Sequence, residues 1–192
     1  MEQEKQITFL TDFFGVIVDE MGPQFFKKHF GEQGSIIKDR YFNKVDIGEI
    51  SFDEVLRMIA KDYDYKYEDV RDEFYSYIKL KPKTVELLKQ IKKKANIVLC
   101  SNAGEHLVED IISKFNLSPI FDKVFISYKY HMAKPDLNFF LLAKNSFPNS
   151  KTYYMLDDNM KNLENLGKID IRSLHFVSED QLEKDLTNLN LL

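Results

Sequence analysis

The stretch "ITFLTDFFGVIVDE", residues 7–20, sets the frame for the whole chain. An apolar run ends in Asp12, and Phe13, Phe14 and Gly15 follow at once. A run that is apolar at nearly every position marks a strand covered on both faces. Asp12 then stands at the edge of a buried sheet, where a lone carboxylate needs a reason. Four more runs share the pattern: "NIVLCS" (96–101), "KVFIS" (123–127), "TYYMLD" (152–157) and "RSLHFV" (172–177). Helical patterns lie between them. "KTVELLKQIKKK" has Pro82 ready for its first turn, and "GEHLVEDIISKF", "PDLNFFLLAKNSF", "MKNLENLGK" and "SEDQLEKDLTNL" follow the later runs. Gly167 is the expected stop of the fourth of these and Ser178 the expected N-cap of the last. The alternation predicts an α/β fold, a Rossmann-like parallel sheet flanked by helices.

Residues 19–81 break the alternation. They hold no buried strand pattern but three helical ones, "PQFFKKHF", "SFDEVLRMIAKDY" with Ser51 as N-cap, and "KYEDVRDEFYSYIKL". This reads as a small all-helical cap inserted after the first strand. The expected division is a core of residues 1–18 and 82–192 and a cap of 19–81. Such a cap overhangs the C-terminal edge of the sheet, where open α/β folds bind ligands.

Composition narrows the classes. The 192 residues are 44% hydrophobic and carry a net charge of -4, so no basic field invites nucleic acid. The basic run "KQIKKKAN" (89–96) reads as the solvated end of a helix. One cysteine, Cys100 inside "NIVLC", excludes an internal disulfide and a cysteine zinc site and reads as a buried thiol. No run approaches the ~18 apolar residues of a membrane span, and the start "MEQEKQ" is unlike a signal peptide. The expectation is a cytoplasmic protein with no nucleic-acid or membrane partner. Oligomeric state is not legible.

Polar residues stand at the ends of four successive strands. They are Asp12, Ser101 with Asn102, Lys134 in "MAKPD", and Asp157 with Asp158. Singly, each reads as a cap or loop residue. In a parallel sheet they converge on one edge. Three carboxylates crowded together repel unless a cation sits among them. Lys134 brings one charge, and magnesium, which favours hard oxygen ligands, would bring two. Asp12 can attack phosphorus to form an aspartyl-phosphate, with magnesium and Lys134 neutralising the transferring group. Ser101 and Asn102 can donate to its oxygens.

The same residues carry a family resemblance. "FLTDFFGVI", "VLCSNA", "MAKPDLNFF" and "YYMLDDNMKNLENL" resemble, in order, the four motifs of the haloacid dehalogenase (HAD) superfamily of hydrolases. The form of the third is similar to that of members with a helical cap. The ending "IRSLHFVSEDQLEKDL" resembles that of relatives of sugar-phosphate phosphatases and of epoxide hydrolase N-terminal domains. The resemblance implies Asp12 as nucleophile and magnesium ligand, and Phe14 as a ligand through its backbone carbonyl. It implies Asp158 as a direct ligand and Asp157 as one through water or in support. Ser101, Asn102 and Lys134 would bind the phosphoryl group.

One position departs from the pattern. Phosphatases of this superfamily usually carry a second Asp two places after the nucleophile, as acid and then base. Here that place holds Phe14, a loss worth roughly 10²–10⁴-fold. The resemblance therefore implies a magnesium-dependent hydrolase of a small phosphorylated metabolite. The alternatives are a metal-free 2-haloacid dehalogenase, whose family has an aromatic residue here, and a catalytically weak binding protein. The paired acids Asp157 and Asp158 favour the first. His29 and His131 are candidates for the cleft between core and cap, and His175 reads as a core histidine. Asn162 reads either as support for the metal loop or as a surface amide. Phe25, Phe26, Tyr41 and Phe42 read as packing of the cap rather than as a pocket.

Overall fold

The computed structural model describes residues 5–192. Its centre is a five-stranded sheet in the order β3-β2-β1-β4-β5, with every neighbouring pair parallel. The strands are β1 (Ile7–Thr11), β2 (Ala95–Ser101), β3 (Lys123–Ile126), β4 (Thr152–Asp157) and β5 (Arg172–His175). β1 is central, with Ile7 opposite Ala95 on one side and Thr152 on the other. Because all strands run the same way, their C-terminal ends form one edge. Asp12 continues the ladder there, its backbone N–H donating to Leu156 O at 2.8 Å.

The sequence pattern explains both faces. Side chains alternate along a strand, so Phe9, Ile97, Leu99, Tyr154 and Leu156 share one buried cluster. Their neighbours Leu10, Val98, Cys100, Tyr153 and Met155 share the other. The first cluster includes α5 (Pro82–Ile91), α6 (Leu107–Lys114) and α9 (Glu179–Asn188). The second includes residues of α7 (Leu137–Lys144) and α8 (Met160–Leu163). Cys100 is fully buried. The edge strands β3 and β5 differ from the expectation of buried strands, since most of their residues are partly or fully exposed. An edge strand has one neighbour, so its apolar pattern is only partly covered.

Four helices stand between β1 and α5: α1 (Gly22–Phe30), α2 (Gly34–Asp46), α3 (Phe52–Asp62) and α4 (Tyr67–Ser76). They have an aromatic centre, in which the Phe25 and Phe74 rings stack at 4.3 Å and Phe26 packs on Tyr41. α3 starts with a full capping box, Ser51 and Glu54 each bonding the other's backbone. α2 has no counterpart in the sequence reading. It buries only Gly34, Tyr41 and Val45, so its apolar stripe is thin. The two connections between sheet and insert cross as a short antiparallel bridge, Val18 to Leu80. Asp19 N–H donates to Lys79 O (2.9 Å), Lys81 N–H to Ile17 O (2.8 Å), and the Lys81 ammonium pairs with Asp19 at 2.7 Å. Gly104 lies where a Cβ would collide with Val45 of α2, so the insert closes directly on the loop after β2. Among the described residues, no helix is long and apolar enough to cross a membrane.

Candidate active site

The strand edge brings most of the singled-out residues together. The Lys134 ammonium is buried between two carboxylates, 2.7 Å from Asp12 Oδ2 and 2.7 Å from Asp157 Oδ2. Carboxylate oxygens of Asp12, Asp157 and Asp158 all lie within 4.8 Å of one another. Asp12 Oδ1 accepts from the next backbone N–H, Phe13, at 2.7 Å, which fixes the orientation of the carboxylate.

Asp157 is fully buried and held from several sides. It accepts from Asn159 N–H at 2.9 Å and from the Asn162 amide at 3.0 and 3.1 Å. Of the two readings of Asn162, the structure selects support of the acidic loop. Asp158 is less buried and faces the loop at Gly15. That glycine has φ +78°, and a Cβ there would lie 2.5 Å from Asp158 Cγ and 2.8 Å from Oδ1. Gly15 thus serves two needs, a left-handed turn and space for a carboxylate.

Ser101 closes β2. Its hydroxyl is buried and has no hydrogen-bond partner among the described residues. A buried hydroxyl left without a partner costs about 1–3 kcal/mol, so a ligand oxygen is a natural complement. Asn102 is largely engaged elsewhere. Its side chain donates to Lys134 O at 2.9 Å and accepts from Lys134 N–H at 2.8 Å. The amide therefore braces the lysine. Phe14 packs edge-to-face on Phe13, and the residue, 9% exposed, forms part of the cavity wall. The loop's backbone bonds run from Gly15 N–H to Val18 O and from Ile17 and Val18 N–H to Phe13 O, and among the described residues none uses the Phe14 carbonyl.

Electrostatics follow from the crowding. Burial raises the Asp12 pKa well above the ordinary value. Lys134 opposes this, and Asp157 and Asp158 add to it. Asp158 is raised by burial and then by Asp157. Burial alone would lower the Lys134 pKa, but the carboxylates of Asp12 and Asp157 outweigh it and hold it above normal. Three carboxylates face one ammonium. All their donors are hard oxygens, which suits magnesium.

The site opens into a cavity of about 300 Å³ between the strand edge and the helical insert. The insert side contributes Lys38, Phe42, Asp46 and Phe52, and the connecting segment contributes Glu20. The sequence reading gave no role to Glu20, Lys38 or Asp46. Nothing in their spacing marks them, because only the folding of the insert over the edge brings them near Asp12. Burial, then Asp158, pushes the half-buried Glu20 up to about 7, and burial pushes Asp46 up to about 6. His29 lies away from this cavity and pairs with Glu73 at 3.0 Å. His131 joins core to insert through Ile47 O at 2.9 Å. His175 is not a core residue: it is exposed and bonds Asp158 O at 3.0 Å.

The family description "haloacid dehalogenase-like hydrolase" matches residues 8–167. The chain belongs to this family of hydrolases. A HAD-like family hydrolase from Porphyromonas gingivalis shares its fold with a TM-score of 0.75 at 15% identity, covering 98% of each chain. A HAD family enzyme from Bacteroides thetaiotaomicron, solved as a magnesium complex, gives 0.71 at 20% identity over 90% of this chain and 94% of its own. The L-2-haloacid dehalogenase of Xanthobacter autotrophicus gives 0.65 at 12% identity over 98% and 84%. These likenesses concern the fold. A drimenol cyclase of Aspergillus calidoustus is 28% identical over 165 residues, 81% of this chain. The HAD-like chain spans 31% of the length of that curated relative.

Proposed function

We propose that this HAD-like hydrolase cleaves the phosphate ester of a small metabolite in the cytoplasm, with magnesium and through an aspartyl-phosphate at Asp12. One observation carries the reading: carboxylate oxygens of Asp12, Asp157 and Asp158 lie within 4.8 Å of one another beside the Lys134 ammonium. Magnesium in this cluster would supply charge stabilisation of the phosphoryl oxygens. Asp12, Asp158 and the Phe14 carbonyl would hold it, with Asp157 in support. Asp12 attacks phosphorus, its orientation set by the Phe13 N–H. Lys134 holds the nucleophile and meets charge on the transferring group. The free Ser101 hydroxyl donates to a phosphoryl oxygen. Asn102 keeps Lys134 in register through its two backbone bonds. Residues 19–81 act as the cap, and a cavity of about 300 Å³ suits a small substrate.

Phe14 favours a second reading, carbon–halogen cleavage, because an aromatic side chain on the cavity wall cannot exchange protons. Against it stands the paired-acid cluster, which metal-free chemistry leaves uncompensated. The test is phosphate release from p-nitrophenyl phosphate, with magnesium or chelator, for the natural protein and Asp12→Asn. Magnesium-dependent release lost in the variant supports the reading. No release, with chloride freed from 2-chloropropionate in chelator, favours the second. Neither product would leave a binding protein.

A further inference from the structure

The geometry points to Glu20 as the group that hands a proton to the leaving oxygen and then takes one from the attacking water. The inference rests on the phosphate-ester reading above and deepens it. An alkyl leaving group departs poorly as an alkoxide, so the reaction needs a proton donor beside it. Phe14 cannot be that donor. Lys134 is committed to two ion pairs of 2.7 Å. Asp157 is closed in by Lys134, Asn159 and Asn162.

Glu20 lines the same cavity as Asp12 and Lys134. Among the described residues its carboxyl makes no hydrogen bond or ion pair, and only its backbone carbonyl is used, by Gln24. It follows the crossing where Asp19 is tied to Lys79 and Lys81, so its backbone sits on a fixed junction. It shares the cavity wall with Asp158 and Lys134 of the strand edge and with Lys38 of the insert, so it stands where core and insert meet. Asp46, another carboxyl on the wall with no partner among the described residues, belongs to α2 and so lies on the insert side. A carboxyl pushed to about 7 retains a proton near neutral pH and can take it back.

The step balances as follows. An Asp12 oxygen bonds to phosphorus while the bond from phosphorus to the leaving oxygen breaks. The leaving oxygen keeps that electron pair, takes the Glu20 proton and departs as the alcohol. The Glu20 carboxylate then takes a proton from water as the water oxygen bonds to phosphorus and the Asp12–phosphorus link breaks. Phosphate leaves, and Glu20 is protonated again.

The experiment compares kcat/KM of the natural protein, Glu20→Gln and Asp46→Asn on p-nitrophenyl phosphate and phenethyl phosphate, with magnesium. kcat/KM reports the step that releases the alcohol, and nitrophenolate needs little protonation. Glu20→Gln is expected to lose on the order of 10²-fold more on the alkyl than on the aryl ester. The natural protein's alkyl activity should fall at alkaline pH as the donor loses its proton, and Glu20→Gln should lack that limb. Equal losses on both esters, no loss on either, or a leaving-group dependence that follows Asp46→Asn would overturn the assignment. Inactivity of the natural protein on both esters would instead overturn the phosphate-ester reading beneath it.

Discussion

Replacing Lys134 by Met removes the ammonium that two buried carboxylates share. The lysine side chain is 1% exposed, and its partners Asp12 and Asp157 are 10% and 0% exposed. Breaking a buried pair by removing one partner costs about 3–5 kcal/mol, because an uncompensated charge is left behind. For a chain of this size each kcal/mol moves Tm by about 2–4 °C, so Lys134→Met should melt about 6–20 °C lower. The sign of the pH dependence is fixed. Asp12 already titrates above its ordinary value because burial disfavours its charge, and Lys134 opposes that rise. Without Lys134 the folded Asp12 carboxyl holds its proton to still higher pH than in the unfolded chain. The penalty relative to the natural protein therefore grows as pH rises through the already raised titration of Asp12 and shrinks as pH falls below it. The assay is thermal unfolding in chelator at pH 5 and pH 7, repeated with magnesium at pH 7. A smaller loss at pH 5, and partial recovery with magnesium, are expected. A Tm within about 2 °C of the natural protein at pH 7, or a larger loss at pH 5, would refute the reasoning.

Two other predictions come from the same edge. Gly15→Ala must displace the Asp158 carboxylate, since its Cβ would lie 2.5 Å from Cγ, and it strains a residue at φ +78° by about 1–2 kcal/mol. Calorimetry should show magnesium affinity reduced at least about tenfold, with the Gly15→Ala/Asp158→Ala double variant little worse than Asp158→Ala alone, as expected for groups that share one interaction; unchanged affinity would remove both from the site. Glu20 has a folded pKa of about 7 against 4.5 in the unfolded chain. It therefore lowers stability progressively as pH rises through that window. Glu20→Gln in chelator should gain stability relative to the natural protein from pH 5 to pH 8, and a pH-independent difference would contradict the burial argument.

What the sequence shows of this fold depends on where the decisive contacts lie. β1 and β4 are legible to the residue, because strands buried on both faces must be apolar throughout. Ser51 and Ser178 are legible as caps because capping is local, and both accept the expected backbone N–H. Gly167 misleads: α8 ends at Leu163, and the glycine lies inside a following 3₁₀ turn that closes at Asp170 in a left-handed conformation. α2 escapes because its burial is thin, and His175 misleads because β5 is an edge strand. The convergence of Asp12, Ser101, Lys134, Asp157 and Asp158 follows from a parallel sheet alone. The bonds of Asn102 to Lys134 and the place of Glu20 do not, since each depends on how loops and insert settle over the edge.

The central claim is that Asp12 carries the phosphoryl group. The direct measurement is the mass of the peptide containing Asp12 after acid quench during turnover of p-nitrophenyl phosphate. The account predicts the added mass of one phosphoryl group at Asp12 with magnesium, and none in chelator or in Asp12→Asn. Turnover that persists in Asp12→Asn, with no adduct at Asp12 in the natural protein, would contradict it.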